Sequence, residues 1–237
     1  MTALAQETRA LTSTSPTPGK AVLLDSSRAV WLSGMGQDAA RQAATGLIDA
    51  GATALAVFGV AGALAPGMRT GTLFCPSVVI DARGHDMETA AAWRASLSRR
   101  LSEAHLPLVT GGSLLSLPSP LLSAADKTAM RAHHQAMAVD MESAGVAAIA
   151  SERGLPFVIL RAIIDEQDDN VPAELQAGID AWGRPLPMRM LATLWHHPRL
   201  LGELPGLAAR MGKAMRVLRA AARAAGTGLG QDSPTTH

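Results

Sequence analysis

The 237-residue sequence predicts an α/β fold, a three-layer α/β/α sandwich around a mixed central sheet. Three observations predict it. From residue 29 to residue 163, short apolar runs alternate with Ala-rich or amphipathic runs of helical length, as strands and helices do when taken in turn. Nearly half of the residues are apolar (48%) and only 17% are charged, which suits a packed chain rather than a disordered one. The length allows a substantial core within one domain.

The elements follow in order. Residues 12–19, "TSTSPTPG", are turn formers and read as a loop. "AVWLS" is a short strand, "GMGQ" a glycine turn, and "DAARQAATGLIDA" a helix that Gly51 ends. "ALAVFGVAG" is a buried strand running into a second glycine turn, and "GTLFCPSVVIDA" is rich in β formers. "DMETAAAWRASLSRRLSEA" reads as an amphipathic helix, "LPLVTGG" as a strand and "SAADKTAMRAHH" as a helix. "QAMAVD", "ESAGVAAIASERG" and "LPFVILRAI" complete the series as strand, helix and strand, and no internal repeat is present. Ligands of such sheets gather beyond the carboxyl ends of strands. That rule puts "GVAG", "VTGG", "DMES" and "RAIID" on one rim.

Composition narrows the setting. Cys75 is the single cysteine, so no intrachain disulfide forms; the residue reads as core and the compartment as reducing. The N-terminus lacks a basic-then-apolar leader, and the longest apolar run falls short of the roughly 20 residues that span a bilayer. A cytoplasmic protein is expected. With four Trp, three Phe and no Tyr, aromatic platforms for a base are sparse. The pairs His133–His134 and His196–His197 point about 100° apart on a helix and have no acid or Cys at ligand spacing, so neither metal nor cofactor is expected. Charge is uneven. Arg184 to Arg223 holds eight cations against Glu203 alone, a net +7 in a chain whose total is +1. Such a segment attracts something anionic. Its Leu-rich pattern reads either as a helix packed over the core or as an interfacial element on anionic lipid.

Two longer stretches resemble the nucleoside phosphorylase and nucleosidase superfamily. The first is "SGMGQDAARQAATGLIDAGATALAVFGVAGALAPGMRTGT", and the second "AVDMESAGVAAIASERGLPFVILRAIID". The tail from Gly183 to Ala221 resembles a narrower branch, the hopanoid-associated phosphorylases, thought to remove adenine from adenosylhopane. The resemblance implies a nucleoside phosphorylase-like catalytic domain over residues 1–183, a basic amphipathic helical tail over 184–225 and a disordered C-terminus over 226–237. It also implies a small-molecule nucleoside substrate, no nucleic-acid partner, a homo-oligomer, and inorganic phosphate or water as co-substrate.

Cleaving a purine N-glycosidic bond builds positive charge on the ribose and electron density on the leaving base. Glu142, at a strand-to-helix junction, suits the ribose: it can accept from sugar hydroxyls and stabilise the oxocarbenium. It reads equally as an acid favoured by a helix N-terminus. Asp165 suits the general acid toward N7, provided its environment holds a proton that a free Asp loses near pH 3.9. The resemblance adds Glu7 for an attacking water, Asp140, Met141, Val60, Ala61, Gly62 and Leu114 around the nucleoside, and Arg9 with Gly34 for phosphate. Four departures stand out. Val60 replaces a Ser or Thr, Ile164 replaces a small polar residue that orients the acid, and Leu114 stands where a Phe often stacks on the base. Glu7 lies so near Met1 that the strand expected before it has no room. The reaction the resemblance implies is phosphorolysis of adenosylhopane with release of adenine, in hopanoid biosynthesis. A hydrolytic methylthioadenosine/S-adenosylhomocysteine nucleosidase is one alternative, and the departures leave open a catalytically inactive nucleoside- or membrane-binding protein as another.

Overall fold

The computed structural model describes residues 1–12, 17–226 and 229; part of the expected 12–19 loop and most of the expected disordered C-terminus lie outside them. The elements begin with α1 (Ala5–Leu11), β1 (Ala21–Leu23), β2 (Ala29–Trp31), α2 (Gln37–Asp49) and β3 (Leu55–Ala63). β4 (Leu73–Cys75), β5 (Val78–Ile80), β6 (Asp86–Glu88), α3 (Ala91–Glu103), β7 (Leu108–Thr110) and β8 (Ser113–Ser116) follow. The chain continues through α4 (Ala124–His134), β9 (Ala138–Asp140), α5 (Ser143–Glu152) and β10 (Phe157–Asp165). A 3₁₀ turn (Ala173–Gly178), α6 (Pro187–His196) and α7 (Leu200–Ala225) close it.

The two long strands organise the rest. β3 and β10 pair in parallel along their whole length, from Leu55 opposite Phe157 to Ala61 opposite Ile163. Their residues alternate between two cores, as the period of two requires. Leu55, Val57, Ile159 and Ile163 face α2 and α5, whereas Phe58, Val158 and Leu160 face α3 and α7. These are the three layers the sequence predicts. Among the described residues the central sheet has eight strands in the order β6-β5-β8-β9-β3-β10-β4-β7. It is mixed, because β9 runs antiparallel to β3 and β4 antiparallel to β10.

Strand direction corrects the single-rim expectation. β7 is parallel to β4 and therefore antiparallel to β10, so "VTGG" opens on the rim opposite Asp165. "DMES" still meets β3, because antiparallel β9 brings Val139 opposite Gly62 and carries Asp140 toward the middle of the sheet. Two local expectations also change. Residues 86–88 form a hairpin strand with β5 rather than the start of the helix, which begins at Ala91. Ser113–Ser116 is a strand, β8, that no sequence pattern marked. Residues 1–4 form no strand: the Met1 carbonyl accepts from Phe58 (3.0 Å), Thr2 makes a single bridge to Leu32, and α1 starts directly afterwards.

The basic segment splits into two kinds of helix. The second half of α7 buries Ala214, Met215, Leu218, Ala221 and Ala225 against the sheet and leaves Arg216, Arg219 and Arg223 outside. It is part of the core rather than an appendage. α6 buries none of its residues.

Candidate active site

Arg161 sits in the middle of β10, opposite Gly59, and its side chain is fully buried. A buried guanidinium costs several kcal/mol unless it is paired. Here it donates from Nε to Asp140 (2.8 Å), from Nη2 to the same carboxylate, and from Nη2 to Glu142 (3.1 Å). Asp140 is held in turn by the backbone N–H (3.2 Å) and hydroxyl of Ser143 at the start of α5. Glu142 accepts from the Gly36 amide (3.1 Å), so the "GMGQ" turn serves a carboxylate of the protein itself. Glu7 completes the cluster, accepting from the amides of Ala3 (2.9 Å), Leu4 (2.8 Å) and Val60 (2.9 Å). A Cβ on Gly59 would collide with both the Glu7 carboxylate and Arg161 Nη1, so only glycine leaves space for their approach.

One guanidinium among three carboxylates leaves an excess of negative charge in a dry place. Burial pushes the Glu142 carboxyl up to about 7, with Arg161 opposing and Asp140 and Glu7 adding to the rise. Burial likewise raises Glu7, against Arg161 and its three amide donors. Burial alone would lower Arg161, but Asp140, Glu142 and Glu7 overcome it and hold the guanidinium above its ordinary value.

Asp165 lies where β10 ends. The ladder with β3 slips between Ile163 and Asp165, an irregularity that re-aims a side chain, and it sets Asp165 opposite Gly62. A Cβ there would come within 3.0 Å of the carboxylate. Lys127, from the first turn of α4, is fully buried and donates to Asp165 Oδ2. Its ammonium also meets the carbonyls of Glu166 (2.9 Å) and Asp169 (3.0 Å). Burial raises the Asp165 carboxyl above its ordinary value, and Lys127 pulls it back.

Between these groups opens a cleft of about 630 Å³, a volume that includes space open to solvent. Its polar walls are Glu7, Asp140, Glu142 and Asp165, and its apolar walls include Leu4, Met35, Pro120, Leu121 and Ile164. Val60, Ala61, Gly62 and Met141 line it as expected. Three expectations are corrected. Arg9 is exposed on α1, about 200° around the helix from Glu7, and does not reach the cleft. Leu114 on β8 is buried in the core and does not line the cleft, whereas Pro120 and Leu121 do. Gly34 packs against Ala181 and Trp182 rather than facing the cleft. Sequence reasoning gave no role to Arg161 or Lys127. An Arg inside the run "FVILRAI" was the available signal for the first; the second has none, since "SAADKTAM" reads as a surface helix. Among the described residues no cluster of His, Cys, Asp or Glu is placed to hold a metal ion.

Comparisons with known proteins agree with this architecture. Three solved structures share the fold. A putative 5′-methylthioadenosine/S-adenosylhomocysteine nucleosidase from Francisella philomiragia is 23% identical over 70% of this chain and 84% of its own, with a TM-score of 0.61. The Helicobacter pylori 5′-methylthioadenosine/S-adenosylhomocysteine nucleosidase with butyl-thio-DADMe-Immucillin-A is 18% identical over 94% and 95%, TM-score 0.65. The futalosine hydrolase of H. pylori is 18% identical over 94% and 95%, TM-score 0.64. No curated protein matches the chain. The family model of the phosphorylase superfamily matches residues 23–185, which hold β3, β9, β10, Arg161 and both candidate carboxyls Glu142 and Asp165; the chain belongs to that superfamily.

Proposed function

We propose that the protein hydrolyses the N-glycosidic bond of an adenine nucleoside that carries an apolar 5′ substituent. The observation that carries this reading is the cleft with the Arg161 carboxylate cluster along one wall and a buried carboxyl, Asp165, on another. Glu142 accepts from the ribose hydroxyls and stabilises the charge that grows on the sugar. Asp165 passes a proton to N7 as the bond from C1′ to N9 breaks, and accepts from the exocyclic amine of adenine. Glu7 takes a proton from the water that attacks C1′.

Water is favoured over phosphate because the described lining of the cleft holds four carboxyls and no cation. A phosphate dianion would enter against the ionised carboxylates among them, which no cation on that lining offsets. Phosphorolysis of adenosylhopane, the reaction implied by the resemblance of the tail, remains the second reading. Arg161 Nη1 supports it, a buried donor without a partner among the described residues.

The apolar 5′ substituent is argued from the mouth of the cleft. Leu4, Met35, Pro120 and Leu121 are more exposed than Glu7, Asp140 and Glu142, and a triterpenoid too large for the cleft would have to leave past them. The turn at 181–183 binds this edge through Ala5 N–H to Trp182 (3.1 Å) and Met35 N–H to Ala181 (2.8 Å), and α6 springs from it. Four of the five exposed large apolar side chains among the described residues follow: Met188 (79%), Leu191 (62%), Trp195 (83%) and Leu201 (59%). The first three share one face of α6, beside Arg189 and His196, and the helix has no acid. An apolar arc with Arg189 beside it and no acid on the helix suits an anionic lipid surface, at about 1 kcal/mol per Lys or Arg near it.

Adenine release from adenosylhopane and from methylthioadenosine, in phosphate-free buffer and with added phosphate, tests the reading. We expect free adenine and a ribose hydroxylated at C1′ without phosphate. A strict phosphate requirement overturns the water step, and no adenine under any condition overturns cleavage. The double substitution Leu191→Ser, Trp195→Ser should abolish cosedimentation with phosphatidylglycerol vesicles while leaving methylthioadenosine cleavage unchanged. Undiminished sedimentation of the double variant would exclude α6 as the contact.

A further inference from the structure

Lys127 is the one buried residue of α4, whose other side chains are exposed or half-exposed, and it stands in the first turn. Both facts are unfavourable for a cation. The helix dipole repels positive charge at its N-terminus, and a buried ammonium costs several kcal/mol unless its protons are taken up. The neighbouring acid does not help, because Asp126 is engaged with the Ser123 cap (2.7 Å). All three ammonium protons go elsewhere: to Asp165 Oδ2, to the Glu166 carbonyl and to the Asp169 carbonyl. The residue preceding Asp165 is Ile164, which has no side-chain polar atom to orient the acid. Lys127 meets that need from another element.

We propose that Lys127 is a positioning residue for proton transfer: it occupies Oδ2 of Asp165, so that Oδ1 carries the proton to the purine, and it stabilises the carboxylate that remains. This rests on the glycosidic-cleavage reading above. In the step, the Oδ1–H bond breaks, the N7–H bond forms, and the C1′–N9 electron pair passes into the base. The carboxylate left behind stays beside the ammonium until solvent returns its proton. The other charges around Asp165 are accounted for. Asp169 repels its ionised form but is paired with Arg210 of α7 (2.7 Å). Glu166 is turned to Arg69 (2.6 Å) and the Thr70 amide (3.1 Å), and β3 presents Gly62. Lys127 is the cation in direct contact.

The experiment compares wild type with Lys127→Met and Lys127→Gln; the glutamine retains donors but no charge. Removing the cation lets Asp165 hold its proton to higher pH. The basic limb of kcat/KM for methylthioadenosine should therefore move up by about one pH unit or more. The plateau should fall by about 10–100-fold through kcat, less than the roughly 10²–10⁴-fold that general acid–base catalysis itself contributes, with KM little changed. A lower melting temperature and a higher KM with the limb unmoved would overturn the proposal, leaving Lys127 as a tie for the 165–169 turn. Carboxyl ¹³C titration of Asp165, assigned with Asp165→Asn, reads the same pairing without turnover. An upward shift in Lys127→Gln supports the pairing even if no nucleoside is cleaved, in which case the function above fails instead; an unmoved titration overturns the pairing. One measurement needs no variant at this position. The Lys127 Nζ resonance of ¹⁵N-lysine protein should shift when adenine saturates the cleft, and an unchanged resonance counts against the proposal.

Discussion

Two walls of the cleft each hold a buried cation, a carboxyl and a glycine on β3, yet they are built to different charge balances. At Arg161 one guanidinium serves Asp140 and Glu142 with Glu7 alongside, and Gly59 makes the space. At Lys127 one ammonium serves a single carboxyl and two carbonyls, with Gly62 opposite. The first wall is rich in negative charge, as a site for a developing oxocarbenium should be. The second is near neutral, as a site that exchanges a proton should be. Since both walls are carried by the same pair of strands, the difference lies in what α1, α4 and the β9–α5 junction bring to them.

The largest expected effect tests the first wall. Arg161→Met leaves three buried carboxyls without their cation, and breaking a buried pair from one side costs about 3–5 kcal/mol. That is a large share of the roughly 5–15 kcal/mol that keeps a domain folded. Urea titration should show the loss at pH 7, and it should shrink toward pH 4 as the carboxyls take up protons. A loss that does not vary with pH would mean that shape, not charge, is what Arg161 supplies.

Next in size is the second wall. Asp165→Asn removes the transferable proton and should lower adenine release by at least about 10²-fold with the fold intact. Near-normal turnover would remove Asp165 from the reaction and with it the contrast between the walls.

The glycines give a finer comparison. In Gly59→Ala the new methyl group meets Glu7 and Arg161, whose positions are fixed by three amides and by Asp140. Overpacking of this kind costs about 1–3 kcal/mol. In Gly62→Ala the methyl group lies 3.0 Å from the Asp165 carboxylate, a contact that a small shift relieves. Thermal melts should therefore separate the two, with the greater loss in Gly59→Ala, while Gly62→Ala acts mainly on kcat. The reverse order would mean that the Lys127 wall is the stiffer of the two.

How far the sequence discloses these walls depends on where their residues stand in the chain. β3 and β10 are apolar on both faces and were readable, and so were Glu142 and Asp165, because an acid at the end of such a strand is conspicuous. Arg9 misled because sequence proximity to Glu7 says nothing about the 200° between them on α1. Leu114 misled because β8 is four residues long, so neither its pairing nor its buried face could be read. The "VTGG" rim misled because strand direction is decided by crossovers, which a list of alternating elements does not contain. Lys127 was invisible for a different reason. In "AADKTAM" a lysine beside an aspartate reads as a solvated surface pair, and its burial follows from how α4 docks beside the end of β10.

The last comparison concerns Glu142 and has a defined sign. Its carboxyl titrates at about 7 in the folded protein and at an ordinary 4.5 when exposed, so between those values the unfolded chain has lost a proton that the folded chain keeps. Stability therefore falls as pH rises from 4.5 to 7, by about 3 kcal/mol at roughly 1.4 kcal/mol per unit, and levels off above 7. Glu142→Gln resembles the neutral acid, can still accept from Gly36 and Arg161, and lacks the titration. The difference in melting temperature, variant minus wild type, should become more positive from pH 5 to pH 8. Turnover should move the other way, because the ribosyl charge is stabilised by the ionised form: wild-type kcat/KM should rise through pH 7 on its acid side, and the variant should lose both the rise and most of the rate. A variant that melts lower than wild type at pH 8, with the acid limb preserved, would place Glu142 at the helix end as a stabilising acid and leave Asp140 and Glu7 to face the sugar.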